Sequence, residues 1–177
     1  TVTRAEFLKM AMDSLGIVGH AYRDGECLDA TNDDWYCYYL QGALDKDIIP
    51  KEMIENCNVT KVTKTLAEAT DDKEAVTTDV NVYTGKFDGD KPITREEMAA
   101  IAVRCKNYKM RRLTDWDNER RYPIFSFKDS DEIDEKYISD VVEAYNLNYI
   151  DGMEDGRFAP KENLTRAQAA VVMNNLK

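Results

Sequence analysis

Three arginines at one position of a repeated motif are the residues of this sequence best suited to bind an anion. Arg4, Arg95 and Arg166 each follow a threonine, in stretches that begin at positions 2, 93 and 164. A guanidinium forms two parallel charge-assisted hydrogen bonds with a carboxylate or phosphate, and a helix N-terminus adds partial positive charge. The motif therefore predicts an anion site at each arginine. The alternative is that the arginines pair with local carboxylates, in a chain with 34 acidic residues.

The residues around each arginine predict the start of a helix. A threonine is followed three residues later by glutamate or glutamine, in the pairs Thr3 and Glu6, Thr94 and Glu97, and Thr165 and Gln168. This spacing is typical of a capping box. The apolar residues that follow fall on one helical face and predict that the three helices pack together, through Phe7, Met10, Met98, Ile101, Val172 and Met173. Capping and packing leave the arginines unexplained, because the helix dipole disfavours a cation at the first position.

Length and charge restrict the class of protein. The chain has 177 residues, enough for one domain with a real core, and a hydrophobic fraction of 43%. Its net charge of −10 argues against nucleic-acid binding, because no basic field would attract phosphates. We find no signal peptide and no apolar run of the roughly 20 residues that a membrane span needs. The chain begins inside a capping motif, so we expect it to be part of a longer protein.

The sequence predicts neither an enzyme nor a metal site, and no cofactor. His20 is the only histidine, lies in a polar turn-rich stretch, and forms no triad pattern with a serine or cysteine. None of the four cysteines forms a CxxC pair, which argues against zinc. The repeat register aligns Cys27 and Cys105 with apolar residues, so we expect both thiols in the core.

Two different offsets between matching segments predict an insertion. Residues 40–49 match 141–150 at an offset of 101, whereas residues 85–94 match 156–165 at an offset of 71. About thirty extra residues, roughly 51–80, therefore lie within the middle repeat. This segment is polar and rich in threonine, and both a short helix near 64–75 and extended segments are compatible with it. We expect it to be peripheral.

Taken together, these motifs resemble the S-layer homology domain. The third repeat carries the best matches, at residues 127–129, 149–152, 155–160 and 164–168. The second repeat supplies Asp29, Trp35 and residues 48–49, 85–87 and 93–97, and the first repeat supplies only its second half. The sequence departs from the family pattern at Lys136 in place of tryptophan, Gln168 in place of glutamate and Gly89 in place of proline, and in the insertion.

The resemblance implies an all-α fold with a pseudo-threefold arrangement of helix-loop-helix repeats around a central helical bundle. It divides a single domain, 1–177, into repeats at 1–19, 20–106 and 107–177, the last including a linker. It also implies non-covalent anchoring at the bacterial cell surface, through clefts between repeats that bind an acidic, pyruvylated secondary cell-wall polysaccharide.

By position, the residues that contact the glycan acid would be Arg4, Arg95 and Arg166. The residues that support the clefts and helix caps would be Thr3, Thr94, Thr165, Trp35, Asp29, Asp129 and Gly152. An alternative from a different functional class is a protein-interaction or spacer module that keeps the fold but does not bind glycan. The insertion and the shortened first repeat favour this alternative.

Overall fold

The computed structural model describes residues 1–19, 27–31, 33–67, 75–110 and 127–177. These residues form five α-helices and two β-strands. The helices are α1 (Arg4–Ser14), α2 (Cys37–Asp45), α3 (Arg95–Lys109), α4 (Glu135–Asn146) and α5 (Arg166–Leu176), and the strands are β1 (Glu55–Ala67) and β2 (Val76–Lys86). Single turns of 3-10 helix follow Pro50 and Asp129.

Helices α1, α3 and α5 begin as the sequence predicts. In each helix the threonine hydroxyl accepts a hydrogen bond from the amide three residues later, and the side chain at that position accepts one from the threonine amide. The ends of two helices also follow from residue type. Asp47 and Asn148 adopt left-handed φ angles of 53° and 56° after α2 and α4, which short polar side chains tolerate.

The three segments that precede these caps bond to one another in a closed ring. The Ile93 amide donates to the Val2 carbonyl (3.0 Å), the Leu164 amide to Ile93 (2.9 Å), and the Val2 amide to Leu164 (3.0 Å). All three side chains are buried, as expected for apolar residues that pack against the first turn of a helix. The ring therefore brings the N-termini of α1, α3 and α5 around one point of the molecule.

Helix α3 lies at the centre of the core. It packs most extensively against α4 and also contacts α1 and α5, while α1 contacts α2. Of the six residues predicted to join these helices, Met10 is only partly buried and packs against the core from its edge. The other five are buried, namely Phe7, Met98, Ile101, Val172 and Met173.

The prediction of an all-α fold class is wrong, because β1 and β2 form an antiparallel sheet beside the helices. Val59 pairs with Tyr83, and Val62 with Val80. Valine and threonine favour strands, and both residue types recur through the two segments. The family pattern describes helices only and has no counterpart for this stretch, so the resemblance could not reveal the sheet.

The sheet is attached to the helices at its base. Tyr83 is buried and its hydroxyl donates to the Leu44 carbonyl in α2 (3.3 Å), while Met53 and Ile54 belong to the core. Beyond this base most side chains of both strands whose positions are described are exposed. The stretch 51–80 is therefore peripheral only in part, since its first residues complete the core next to α2.

The cysteines of the core match the prediction made from the repeat register. Cys27 and Cys105 are buried, and none of the four cysteines, all of them described, forms a disulfide. Burial raises the pKa of Cys27 to about 12, and it also raises the pKa of Cys105, so neither thiol ionises at neutral pH. The predicted loop position of His20 lies outside the described residues. None of the described helices combines the length and apolar character that crossing a membrane requires.

Candidate anion-binding clefts

Two of the three arginines lie in clefts with the same main-chain design. The Arg4 cleft consists of the start of α1 and residues 87–91, and the Arg95 cleft consists of the start of α3 and residues 158–162. The first two amides of α1 donate to the carbonyls of residues 91 and 89, and the first two amides of α3 donate to those of residues 162 and 160. The first two amides of each helix are therefore already occupied, so an anion bound in either cleft would have to be held by the guanidinium.

Arg4 is fully engaged with protein groups. Its Nε and Nη2 atoms both donate to the Glu97 carboxylate, with Nε 3.2 Å from Oε2, and its Nη1 atom donates to the Phe87 carbonyl at 2.6 Å. Both partners of this ion pair are buried. A two-point bond to a buried carboxylate uses the fork of the guanidinium and neutralises its charge. The Nε–Nη2 edge of Arg4 is thus filled by a carboxylate of the protein and is closed to a ligand acid.

Arg95 is equally buried, but it forms no ion pair with a carboxylate of the described residues. Its Nε atom donates to the Phe158 carbonyl (2.7 Å) and its Nη2 atom to the Asp151 carbonyl (2.8 Å). The guanidinium also lies 5.1 Å from the centre of the Phe158 ring. Burial lowers the pKa of Arg95, while Glu162, Asp129 and Asp151 oppose this shift through longer-range attraction. The side chain is held in place by dipoles and retains its positive charge.

Arg166 is the exposed member of the set. Its side chain is 79% exposed, and Nη2 lies 3.2 Å from Oε1 of Glu6. No carbonyl of the described residues covers the first amides of α5 in the way that residues 87–91 and 158–162 cover α1 and α3. An exposed ion pair of this kind contributes little, because water screens it.

Asp29 and Asp129 support the two clefts by holding their loops. The Asp29 carboxylate accepts hydrogen bonds from the amides of Phe87 (2.8 Å) and Asp88 (2.9 Å). The Asp129 carboxylate accepts them in the same way from Phe158 (2.8 Å) and Ala159 (2.7 Å). The second residue of each loop has a left-handed φ, 59° at Asp88 and 58° at Ala159. Each aspartate therefore fixes a strained turn whose carbonyls receive the arginine.

Trp35 and Gly152 lie near the clefts for different reasons. Trp35 is 52% exposed and makes an edge-to-face contact with Tyr36, with ring centres 5.5 Å apart. Tyr36 packs against Gly89, so Trp35 belongs to the surface beside the Arg4 cleft. A side chain at Gly152 would come within 2.6 Å of the Phe127 ring, so glycine is required there for packing.

The sequence interpretation missed a charged cluster beside the Arg95 cleft. Lys161 Nζ lies 2.7 Å from Glu96 Oε1 and 2.6 Å from Asp134 Oδ1, and Glu96 also accepts a hydrogen bond from the Asp134 amide (3.1 Å). Burial raises the pKa of Glu96, and the Lys161 ammonium opposes that shift. One signal was available, because Glu96 occupies the motif position that is alanine in the other two copies.

Comparisons with known proteins match part of the chain to a family. Residues 126–170 match the S-layer homology domain model. The chain is 32% identical to an amylopullulanase of Thermoanaerobacterium thermosulfurigenes and 33% identical to the exoglucanase XynX of Acetivibrio thermocellus, in both cases over 99% of its own length. It covers 8% and 13% of those proteins.

An endoglucanase of Bacillus sp. (strain KSM-635) is 37% identical over 55% of the chain, which covers 10% of that protein. The chain thus spans about a tenth of the length of the relatives it matches. The family match includes Asp129 and residues 158–162, which form the loop of the Arg95 cleft, and it also includes Gln168 in the cap of α5. This match identifies residues 126–170 as an S-layer homology domain, and the repeated capping boxes and paired loops show the same local motifs at the other helix starts.

Proposed function

We propose that the chain is a non-catalytic module that anchors a larger protein to the bacterial cell wall. Its ligand is an acidic, pyruvylated secondary cell-wall polysaccharide, bound in the clefts at the arginines. Family membership supports the anchoring role. The finer statement, that the ligand is acidic, depends on one observation, which is the buried Arg95 guanidinium with no carboxylate partner among the described residues.

An unpaired buried cation is informative because it is costly to maintain. Removing a charge from water without an ion partner destabilises a fold unless polar groups surround it. Arg95 is surrounded by two carbonyls and an aromatic face, which hold its orientation and leave its charge in place. A ligand carboxylate would complete this site with the charge-assisted bonds that Glu97 supplies to Arg4.

Arg166 is the second arginine that a ligand can reach. Its guanidinium is exposed and its pairing with Glu6 is open to solvent. We therefore expect it to contribute to binding less than Arg95 and more than Arg4, whose fork is already filled.

Binding to cell walls tests the proposal directly. The 177-residue chain is mixed with isolated cell walls that either retain their secondary polymer or have been chemically stripped of it, and the bound fraction is measured by sedimentation. Retention on native walls with loss on stripped walls is the expected result. Equal retention on both preparations contradicts a polymer ligand, and failure to bind native walls contradicts the anchoring role.

The alternative function is a protein-interaction or spacer module. The observation that favours it is the β1–β2 sheet, in which both strands lack a second neighbour among the described residues and are largely exposed. Replacing residues 60–79 by a short glycine-serine turn tests whether the sheet takes part in attachment. If wall binding survives, the sheet is not the anchoring surface and is available for another partner; if wall binding is lost, the sheet itself is needed for attachment, which contradicts a separate interaction role.

The three relatives named above are enzymes by name, but the chain covers about a tenth of each. We propose that any catalytic activity of the full-length protein lies outside these 177 residues, and that the module contributes attachment only. The arginines, loops and caps of the clefts provide binding groups and no nucleophile or acid-base pair at a reacting position.

A further inference from the structure

We infer that Gln168 determines which cleft binds the acidic group of the ligand, because it leaves Arg95 as the buried arginine whose motif partner carries no charge. This inference depends on the proposed function for its ligand, although the ion-pair pattern behind it does not. It makes the clefts unequal, with the Arg95 cleft as the principal acid site and the Arg4 cleft closed.

The arginines and the capping carboxylates follow a cyclic rule. In the ring of cap segments, the amide of each segment donates to the carbonyl of the segment before it, in the order Val2, Ile93, Leu164 and back to Val2. Arg4 of the first segment pairs with Glu97 of the second. Arg166 of the third pairs with Glu6 of the first. Arginine therefore pairs with the capping residue of the next segment around the ring.

The same rule assigns Gln168 of the third segment to Arg95 of the second. The main-chain relation is equivalent, because Thr94 bridges to Asn163 as Thr3 bridges to Pro92. A capping glutamate serves two partners at once, since Oε2 of Glu97 accepts from the Thr94 amide (3.2 Å) and from Arg4 Nε (3.2 Å). Gln168 performs only the first task.

Gln168 keeps the cap but supplies no charge. Its Oε1 atom accepts from the Thr165 amide (2.9 Å) and from the Thr165 hydroxyl (3.0 Å). An amide oxygen cannot neutralise a guanidinium. The exchange of glutamate for glutamine thus preserves the helix start and removes the internal anion that closes the Arg4 cleft, so a carboxylate from outside can take its role.

The nearby cation does not provide a competing site. Lys161 is engaged by Glu96 and Asp134, so its ammonium is neutralised within the protein. Arg95 Nη1 donates to no described group, whereas Nε and Nη2 are fixed by carbonyls. The chemistry that fits is a compact carboxylate attached to a sugar, because the arginine is only 5% exposed and a bulky anion would not reach it.

Charge-matched variants of the 177-residue chain test the inference by calorimetric titration. The probe is a methyl glycoside that carries a pyruvate ketal, and its methyl ester serves as the uncharged comparison. Gln168→Glu should pair with Arg95, weaken binding of the acidic probe about ten- to a hundredfold and leave binding of the ester unchanged. Gln168→Ala removes the cap without adding charge, so its affinity should stay within about threefold of wild type.

The mirror variant Glu97→Gln opens the Arg4 cleft and should add one further site of comparable affinity, seen as a stoichiometry higher by one than that of wild type. Wild-type affinity in Gln168→Glu overturns the inference, as does an equal loss in Gln168→Ala, which would assign the effect to the cap. Thermal unfolding distinguishes a failure of the ion-pair rule from a failure of the proposed function and its ligand. A higher midpoint in Gln168→Glu, together with no wild-type binding to probe or walls, would contradict the proposed function and its ligand while leaving the ion-pair rule intact.

Discussion

The Arg4 cleft and the Arg95 cleft share a main chain and differ in what their side chains do with the same arginine. In both, an aspartate holds a loop by two amides, and the loop carbonyl receives the guanidinium. In the first, Glu97 then closes the site with a buried ion pair. In the second, Gln168 occupies the corresponding position in the ring and the charge stays open. One motif thus serves as a structural joint in one place and as a candidate receptor in another.

The residues that flank the two clefts also differ. The Arg4 cleft has an exposed aromatic side chain, Trp35, on its flank, and the Arg95 cleft has Lys136 at the matching sequence position. The cleft with the open cation therefore has a lysine where the other cleft has an exposed indole. Removing these features one at a time shows whether the division is real.

The largest expected difference is between Arg4→Ala and Arg95→Ala. Removing Arg4 leaves the buried Glu97 carboxylate unpaired, so we expect the free energy of unfolding to fall by about 3–5 kcal/mol at pH 7.5. Removing Arg95 breaks two hydrogen bonds to carbonyls, but it also removes a buried cation that has no ion pair among the described residues. The free energy of unfolding should therefore fall by only about 1–2 kcal/mol. Urea unfolding measures both values. The variant Arg4→Ala with Glu97→Gln is the control and should recover part of the loss.

Equal losses in the two single variants would contradict the comparison, because they would show that Glu97 does not depend on Arg4 for its neutralisation. The expected result also revises what the sequence suggests. From the motif alone, each arginine opposes the helix dipole and its removal should leave stability nearly unchanged. At Arg4, burial and the ion pair with Glu97, which lies 93 residues further along the chain, outweigh the unfavourable helix dipole.

A smaller, pH-dependent effect is expected from Lys161→Ala beside the Arg95 cleft. Burial raises the pKa of Glu96 and Lys161 opposes it, so the variant should raise this pKa further. A carboxylate whose pKa is raised in the folded state destabilises the fold at pH values above that pKa. The penalty disappears once the pH falls below the pKa of the same group in the unfolded chain, about 4.3. We expect a loss of about 1–3 kcal/mol at pH 7.5 that shrinks as the pH falls and vanishes near pH 4.

Urea unfolding at several pH values measures this dependence. Asp90→Ala is the matched control, because Asp90 is the residue at the corresponding position of the Arg4 cleft and is exposed. Its effect should be small and independent of pH in the same range. A constant deficit in Lys161→Ala at all pH values would show that Glu96 is not the group that the lysine neutralises.

Local chemistry made part of this structure predictable. A capping box depends on four consecutive residues, so Thr3, Thr94 and Thr165 could be assigned from spacing alone, and the structure confirms all three. The core positions of Cys27 and Cys105 followed from alignment of the repeats. The family followed from the combination of motifs, each of which is local.

Interactions through space could not be predicted in the same way. The pairing of Arg4 with Glu97 depends on which segments are neighbours in the ring, and no single motif specifies that order. For the inserted stretch the sequence left a short helix and extended segments open, and it did not predict that two strands pair. Most of their described side chains are exposed, so the strands lack the alternation of apolar and polar residues that indicates a half-buried strand. Asp29 and Asp129 were assigned to the clefts, but their roles as loop holders appear only in the hydrogen bonds.

The smallest expected effect is that of Trp35→Ala on stability. The side chain is 52% exposed and makes one edge-to-face contact, so the free energy of unfolding should change by no more than about 0.5 kcal/mol. If the acid group binds at Arg95, the affinity for the pyruvate-ketal probe should also stay within about twofold, since Trp35 flanks the other cleft. Lys136→Ala is the matched variant at the corresponding position and should also leave stability nearly unchanged.

Titration of both variants against the probe and against whole walls completes the comparison. A tenfold loss of wall binding in Trp35→Ala, with probe binding intact, would show that the Arg4 cleft recognises a neutral sugar by stacking on the indole ring. A tenfold loss of probe binding would contradict the assignment of the acid to Arg95, because it would place the carboxylate next to an arginine whose fork Glu97 already fills.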